Sequence, residues 1–220
     1  MPNLSYELIE EHVKHTASGE EVFQIRAMRD IPAKSVKKGD LGGWVGKNVK
    51  LLDNAWVSDN ARVSGNAWVY ENALVSGDAL ILGNACVHGN ARVSGNALVY
   101  GNARVSGNAL IYGYTQVYGN ARVSDNARVS GDALVYGNAW VSGDDIIKAS
   151  NDLINIINPS GYPITVTRKY FYVACKPFPI GSVEKNLRTT AIEYKFSESQ
   201  YKKYKRLIRA TVKFMNTEDI

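Results

Sequence analysis

The sequence predicts an all-β solenoid, a parallel β-helix of about six triangular coils, preceded by a β-hairpin cap and followed by a small α+β unit. Three observations carry this prediction. From Gly43 to Ile147 a six-residue unit, Asn-Ala-x-Val-Ser/Tyr-Gly, recurs eighteen times in register without insertion or deletion. A small residue (Gly43, Val49, Ala55 and on to Asp145) and an aliphatic one two places later (Val45, Leu51, Val57 and on to Ile147) flank one outward position in every unit. The other positions hold turn formers. A fixed period of this kind marks stacked repeats, which bury their apolar faces only against their neighbours.

In the rod, residues 43–147, Ala-x-Val reads as a short strand with its first and third side chains inward. Gly, and the Asn after it, are the residue types that turn a sharp corner through positive φ at least cost. Three units close a triangular coil of 18 residues, so the eighteen units make six coils. At ~4.8 Å per coil the rod is roughly 29 Å long. Ala alternating with a branched aliphatic suits its narrow interior, and β-branched Val favours extended backbone.

Residues 1–42 contain Tyr6–His15 and Val22–Ile31 on either side of Thr-Ala-Ser-Gly-Glu-Glu, which reads as a hairpin that caps the first coil. An uncapped rod end would expose apolar core and unpaired strand edges. His12 and His15 lie on this hairpin with no Cys or third His nearby, and read as surface residues rather than metal ligands. In residues 148–220 the repeat is lost. Asn158–Pro163 is rich in turn formers, and Ile164–Thr167, Tyr170–Cys175 and Ala191–Phe196 read as strands. Ser197-Glu-Ser-Gln200 has the form of a capping box that opens a helix to about Phe214. Tyr201, Tyr204, Ile208, Val212 and Met215 share one face of that helix, with Lys202, Lys205, Arg206, Arg209 and Lys213 largely opposite.

The net charge of +5 is unevenly placed: residues 1–42 and 43–145 each sum to −1, and residues 146–220 to +7. The basic tail is either a solvated face or an attraction for nucleic acid, an anionic ligand or an acidic partner. Cys86 and Cys175 are too far apart to suggest a disulfide framework or a metal site. No segment is long and apolar enough for a membrane span, and the first thirty residues lack the pattern of a signal peptide, so a cytoplasmic protein is expected.

These repeats resemble the hexapeptide-repeat, left-handed parallel β-helix proteins. The resemblance implies the left hand; crossover statistics alone would favour the opposite. Phe23-Gln-Ile-Arg-Ala and Gly39-Asp-Leu-Gly-Gly-Trp-Val45, followed by Asn-Ala-x-Val units, also resemble phage and prophage hexapeptide-repeat proteins of the polymer-forming type. That likeness spans about two thirds of the chain and carries no catalytic motif. The hexapeptide-repeat resemblance implies a homo-oligomer, by analogy a trimer, and the phage likeness implies a role in the cytoplasm of a bacterial host cell.

Function must then lie in what the rod displays, since residues 18 apart stack on one side. The first side presents Trp44, Arg62, Leu80, Leu98, Gln116 and Leu134, with Ser64, Leu82, Tyr100, Tyr118 and Tyr136 at the strand ends. Leu80, Leu98, Leu134, Tyr100, Tyr118 and Tyr136 form a patch expected to be covered by the tail or by another subunit, and self-association is the favoured reading. The second side presents Lys50, Trp68, Cys86, Arg104, Arg122 and Trp140, with Tyr70, His88, Ser106, Ser124 and Ser142. Guanidinium pairs with phosphate and aromatic rings stack on nucleobases, so Arg104, Arg122, His88, Trp68, Tyr70 and Trp140 are the candidate site for an anionic, nucleotide-like ligand. The third side, Trp56, Leu74, Arg92, Leu110 and Arg128 with Ser94 and Tyr112, is a weaker version.

Many hexapeptide-repeat proteins are coenzyme A-dependent acyltransferases with a histidine base and an extruded loop. This rod has no such loop and one histidine, His88, whose outward neighbours Tyr70 and Ser106 bring no carboxylate. A metal centre of several histidines is equally unsupported. Nucleic-acid mimicry fits poorly with a rod near neutrality, and the apparent caps argue against a filament. The expected function is therefore non-enzymatic, without cofactor or metal: capture of an anionic ligand or of a host defence protein. An acyltransferase and a purely structural assembly protein remain the alternatives.

Overall fold

The computed structural model describes residues 5–156, 162–173 and 176–217. After β1 (Tyr6–His15), β2 (Glu21–Ala27) and β3 (Leu41–Gly46), the rod is built from two-residue strands, β4 (Lys50–Leu51) through β20 (Ile146–Ile147). Each consists of an outward residue and the inward aliphatic. The preceding Ala belongs to the corner instead, because its amide turns back: Ala61 N–H donates to Ser58 O at 3.2 Å and Ala73 N–H to Tyr70 O at 3.3 Å. The outward residue's amide reaches the next coil, as in Trp44 N–H to Ala61 O, Arg62 N–H to Ala79 O and Leu80 N–H to Ala97 O, all at 2.9 Å.

Strands 18 residues apart therefore pair in parallel, giving three flat sheets of six coils. The inward Ala and Val residues, among them Ala61, Val63, Ala103 and Val105, are wholly shielded and form one continuous core. Ala opposite branched aliphatics suits the narrow prism, where close contact gains dispersion energy.

At the corners the work is divided between Gly and Asn. Gly takes positive φ, for example +72° at Gly101 and +64° at Gly107, whereas no Asn among the described residues does. This corrects the expectation that both residues accept that conformation. The Asn side chains instead hydrogen-bond along the rod: Asn84 Nδ2 donates to Asn102 Oδ1, Asn102 to Asn120 and Asn120 to Asn138, each at 3.2 Å.

Where Gly is replaced, the substitute is acidic at Asp53, Asp59, Glu71 and Asp125, all with φ between 56° and 60°. The carboxylate then accepts from the corner amide one coil on. Asp53 takes Glu71 N–H at 3.0 Å, Glu71 takes Gly89 N–H at 2.7 Å and Asp125 takes Gly143 N–H at 3.0 Å. A charge-assisted hydrogen bond offsets the cost of a left-handed non-glycine residue.

The N-terminal hairpin extends the first side: β2 pairs antiparallel with β3, and β3 starts the parallel ladder at Trp44 and Arg62. Ile25, Ala27, Ile31 and Val36 join the rod's core and close its end. Trp56, expected on the displayed third side, is buried beneath this segment with 2 % of its surface accessible. Gly42 makes that packing possible, since a Cβ there would lie 2.5 Å from Ile25 Cγ1 and 2.8 Å from the Trp56 ring.

At the other end β21 (Leu153–Ile156), β22 (Ile164–Thr167), β23 (Tyr170–Val173) and β24 (Lys176–Pro179) form an antiparallel sheet in that order. Helices α1 (Val183–Glu193) and α2 (Glu198–Thr217) pack beside it, with Leu187, Tyr204, Ile208 and Met215 in a second core. Ala191–Phe196 is thus the end of a helix and its exit turn, not a strand. Six residues of alternation misled, whereas the buried Val183, Leu187, Thr190 and Ala191 follow helical spacing. The capping box is present: Gln200 N–H donates to Ser197 Oγ at 3.2 Å and Ser197 N–H to Gln200 Oε1 at 2.8 Å. Residues 158–161 of the expected boundary, and Ala174 and Cys175 of the second expected strand, lie outside the described residues.

The sheet is locked to the last coil by polar contacts. Asp145 stands at an inward position where most units have Ala, 1 % exposed, and accepts from Tyr172 OH at 3.0 Å. That hydroxyl in turn accepts from Ser142 N–H at 3.1 Å. Asp152 accepts from Lys148 N–H (2.8 Å), Ala149 N–H (3.0 Å) and Arg168 Nε (2.5 Å).

Burial holds the Asp145 carboxyl above its ordinary pKa despite the Thr167 and Tyr172 hydroxyls. Burial also lifts Asp152, but Arg168 and the two amides outweigh it and leave that carboxyl below the usual range.

A Cβ on Gly43 would lie 2.7 Å from Ala61 O and 2.8 Å from Val57 Cγ1, so Gly43→Ala should lower stability by about 1–3 kcal/mol in denaturant titration. The two carboxylates should give pH dependences of opposite sign. The stabilisation linked to protonated Asp145 is full below its unfolded pKa of about 4 and is lost as pH rises through the raised native value, so Asp145→Asn should gain stability relative to wild type between pH 4 and 7. That of Asp152 is present above about pH 4 and fades as pH falls through the lowered native value, so Asp152→Asn should flatten the acid limb. Melting temperatures from pH 3 to 8 check both.

Candidate functional site

The parallel ladder fixes the order of groups on the second side: Lys50, Trp68, Cys86, Arg104, Arg122 and Trp140, one coil apart. Arg104 and Arg122 are exposed and directly paired across adjacent strands. Two guanidinium groups held by neighbouring strands repel each other, so the pair is complementary to a shared anion. Trp68 is 49 % exposed. Trp140 is half-buried, with the Arg122 guanidinium over its ring at 5.1 Å, so part of the Arg122 charge is already engaged in a cation–π contact.

Beside this row runs a second one, from the residues that follow each aliphatic position. Tyr70 and His88 stack with ring centroids 4.7 Å apart and planes within 1°. Cys86 Sγ lies 3.9 Å from Tyr70 OH. Burial, then the Cys86 thiol, pushes the Tyr70 phenol up to about 12, and burial raises the Cys86 thiol above its ordinary value. Cys86 is therefore a packed thiol, not an activated nucleophile.

The structure brings Glu71 Oε2 to 3.7 Å from His88 Nδ1, which corrects the expectation that no carboxylate stands beside this histidine. The same carboxylate oxygen accepts from Gly89 N–H. The signal was available as an acidic residue at a glycine corner 17 positions before the histidine. The second side thus gathers Tyr70, His88, Arg104, Arg122, Trp68 and Trp140 on one sheet, with Glu71 at its margin.

On the first side the six patch residues share a sheet, and all are half-exposed except Tyr136, which is 36 % exposed. Tyr100, Tyr118 and Tyr136 stack as a column, with centroids at 4.9 and 5.7 Å. The C-terminal sheet reaches the rod at Trp140, Ser142, Asp144 and Asp145, and leaves the middle of this side accessible.

The basic tail is less free than its sequence suggests. Lys205 Nζ lies 2.6 Å from Glu184 of α1, Arg209 pairs with the same carboxylate, and Lys202 lies 3.7 Å from Glu198. Among the described residues Arg206 has no such partner. A cleft of about 420 Å³ between the two helices is lined by Arg188, Ile192, Lys195, Phe196 and Tyr201.

Five stretches of the rod, residues 55–71, 91–107, 103–118, 115–129 and 127–143, match the family model described as YdcK beta solenoid repeat. This is a β-solenoid repeat protein. A comparison with curated proteins finds no match. Among the described residues no group of His, Cys, Asp and Glu could hold a metal ion, and no helix is long and apolar enough to cross a membrane.

The packing around Cys86 makes a checkable statement about the site. Its alkylation by iodoacetamide, followed by peptide mass mapping, should be slower than that of a free thiol at pH 7 and should accelerate only at alkaline pH. Tyr70→Ala should speed it by uncovering the sulfur.

Proposed function

We propose that the protein is a non-enzymatic, oligomeric binding protein that captures an anionic, nucleotide-like ligand on the second side of its rod. The observation that carries this reading is the exposed Arg104–Arg122 pair flanked by stacked and exposed aromatic rings on one rigid sheet. Guanidinium groups offer phosphate a bidentate partner, and rings offer bases a stacking surface. Because the backbone is pinned by the coil-to-coil ladder, these groups are held in place before a ligand arrives, which lowers the ordering cost of binding.

Self-association uses the first side. Half-exposed leucines and a tyrosine column on a flat sheet suit burial against another copy, and a trimer is the state implied by the resemblance to hexapeptide-repeat proteins. The resemblance of the Phe23–Val45 segment and its repeats to phage and prophage proteins supplies the biological setting: capture of a host nucleotide signal, or of a host defence protein, in the bacterial cytoplasm.

The Glu71–His88 pair favours one second reading, since a carboxylate beside Nδ1 is how a histidine base is oriented. In that case the rod would transfer an acyl group from coenzyme A. Acetyl transfer from acetyl-coenzyme A that disappears in His88→Ala would replace the capture reading with this one.

Native mass spectrometry of protein purified from bacterial cells tests the proposal. The expected result is an oligomer carrying a phosphate-containing small molecule, with the ligand lost in Arg104→Glu/Arg122→Glu and the assembly reduced to monomers in Leu98→Arg. A monomeric wild type overturns the assembly. Protein that carries no anion, and takes none up from a panel of mono- and dinucleotides, overturns ligand capture.

A further inference from the structure

The column of rings on the second side is interrupted, and the gap has the dimensions of a stacked ligand. At the position after each aliphatic residue, successive coils carry Tyr70, His88, Ser106, Ser124 and Ser142. Tyr70 and His88 are stacked one coil apart, and the His88 amide bonds to Val105 O at 2.9 Å, which sets Ser106 one coil beyond the imidazole. The ring face of His88 opposite Tyr70 therefore looks along the rod toward Ser106 and Ser124. Both serines are half-exposed, and neither hydroxyl bonds to another described residue. The gap ends at Ser142, which is 3 % exposed and bonded to the Tyr172 hydroxyl of the C-terminal sheet.

The first side shows what this column holds when it is filled. There the equivalent positions carry Tyr100, Tyr118 and Tyr136, stacked with centroids at 4.9 and 5.7 Å. The coil spacing is thus itself a ring-stacking distance, within the ~4.5–7 Å range of favourable aromatic pairs. Replacing two rings by serines leaves a slot two coils high, roughly 10 Å. Its floor is the imidazole of His88, and its flank is the row that holds Arg104 and Arg122, on the two strands that Ser106 and Ser124 directly follow. The nearest acidic groups are already engaged: Glu71 with Gly89 N–H and His88, and Asp125 with Gly143 N–H.

We propose that this slot is the binding site itself, and that its ligand is a dinucleotide whose stacked bases continue the Tyr70–His88 column over Ser106 and Ser124 while its phosphates pair with Arg104 and Arg122. This rests on the capture reading above and refines it. The bases enter end-on, against His88, and do not lie flat on Trp68 or Trp140. A mononucleotide fills half the slot, and a sugar phosphate without a base fills none of it.

Ser106→Tyr tests the slot, because it adds the ring that the first side already accommodates at Tyr100 and Tyr118. Ser94→Tyr adds the same ring to the third side, one coil from Tyr112, and serves as the control. Binding of pApA is measured by isothermal titration calorimetry to the full chain, with ribose 5-phosphate as a second probe and melting curves to verify folding. Wild type and Ser94→Tyr should bind pApA alike, ribose 5-phosphate should bind weakly or not at all, and Ser106→Tyr should lose about tenfold or more in affinity, the scale of one base stack. His88→Ser should weaken binding in the same sense.

Unchanged pApA binding in Ser106→Tyr, with binding abolished in Arg104→Glu/Arg122→Glu, would overturn the slot and leave capture on the second side standing. An equal loss in Ser94→Tyr would overturn it as well. Failure of pApA to bind wild type, in protein that still carries another anion from its cells, would reject the dinucleotide alone, whereas failure of both rejects the slot together with the capture reading.

Discussion

Everything in this molecule depends on the hydrogen bond from an outward residue's amide to a carbonyl seventeen positions later, as between Arg62 and Ala79 or Arg104 and Ala121. That bond repeats where successive coils bring the same positions into register, and here eighteen units do so without an insertion. It also sets the conditions at the corners. From Asp53 onward each has one residue at positive φ, a glycine or an acidic residue whose carboxylate bonds the next coil's amide. An Asp or Glu at a corner therefore joins two coils, and the acidic residues of the rod are structural as much as electrostatic.

A stack held together in this way has two ends that cannot satisfy themselves. The chain closes them by different physics. At the first coil the hairpin continues the sheet, so edge hydrogen bonds are replaced in kind, while Ile25, Ile31 and Val36 cover the apolar interior. At the last coil an antiparallel sheet arrives whose bonds do not match the parallel ladder, and side chains make the join. Thr165 Oγ1 accepts from Trp140 N–H at 3.0 Å, and Tyr172 and Asp145 meet inside the final coil. A buried carboxyl at an inward position is the cost of joining two sheets of different geometry, and it ties the folding of the C-terminal unit to that of the rod.

The rod was legible in the sequence almost entirely, since its period fixes which residues face in and which stack. All three outward rows predicted from the 18-residue spacing are the rows observed. What escaped was whatever the period does not encode. Trp56 occupies an outward position, yet is covered by a segment whose path no repeat specifies. Asn at a corner reads as a left-handed residue by type, but its side chain bonds the Asn 18 residues on, and the positive φ falls on the glycine, or the Asp or Glu, before it. Glu71 meets His88 across coils, a contact invisible to anyone looking only at outward positions. In the C-terminal unit, where there is no repeat to average over, six alternating residues sufficed to disguise a helix end as a strand.

The same rigidity makes small differences between the sides meaningful. On a globular surface a serine in place of a tyrosine leaves space that neighbours can fill by shifting. Here the neighbours stand on strands whose spacing is fixed by main-chain bonds on both edges, so the space over Ser106 and Ser124 persists. The first side, with its column filled by Tyr100, Tyr118 and Tyr136, offers a continuous ring surface suited to another flat protein face. The second side, with its column broken after His88 and cations alongside, offers depth and charge instead. One backbone thus presents two kinds of surface, set by which residues fill the outward row and the column beside it.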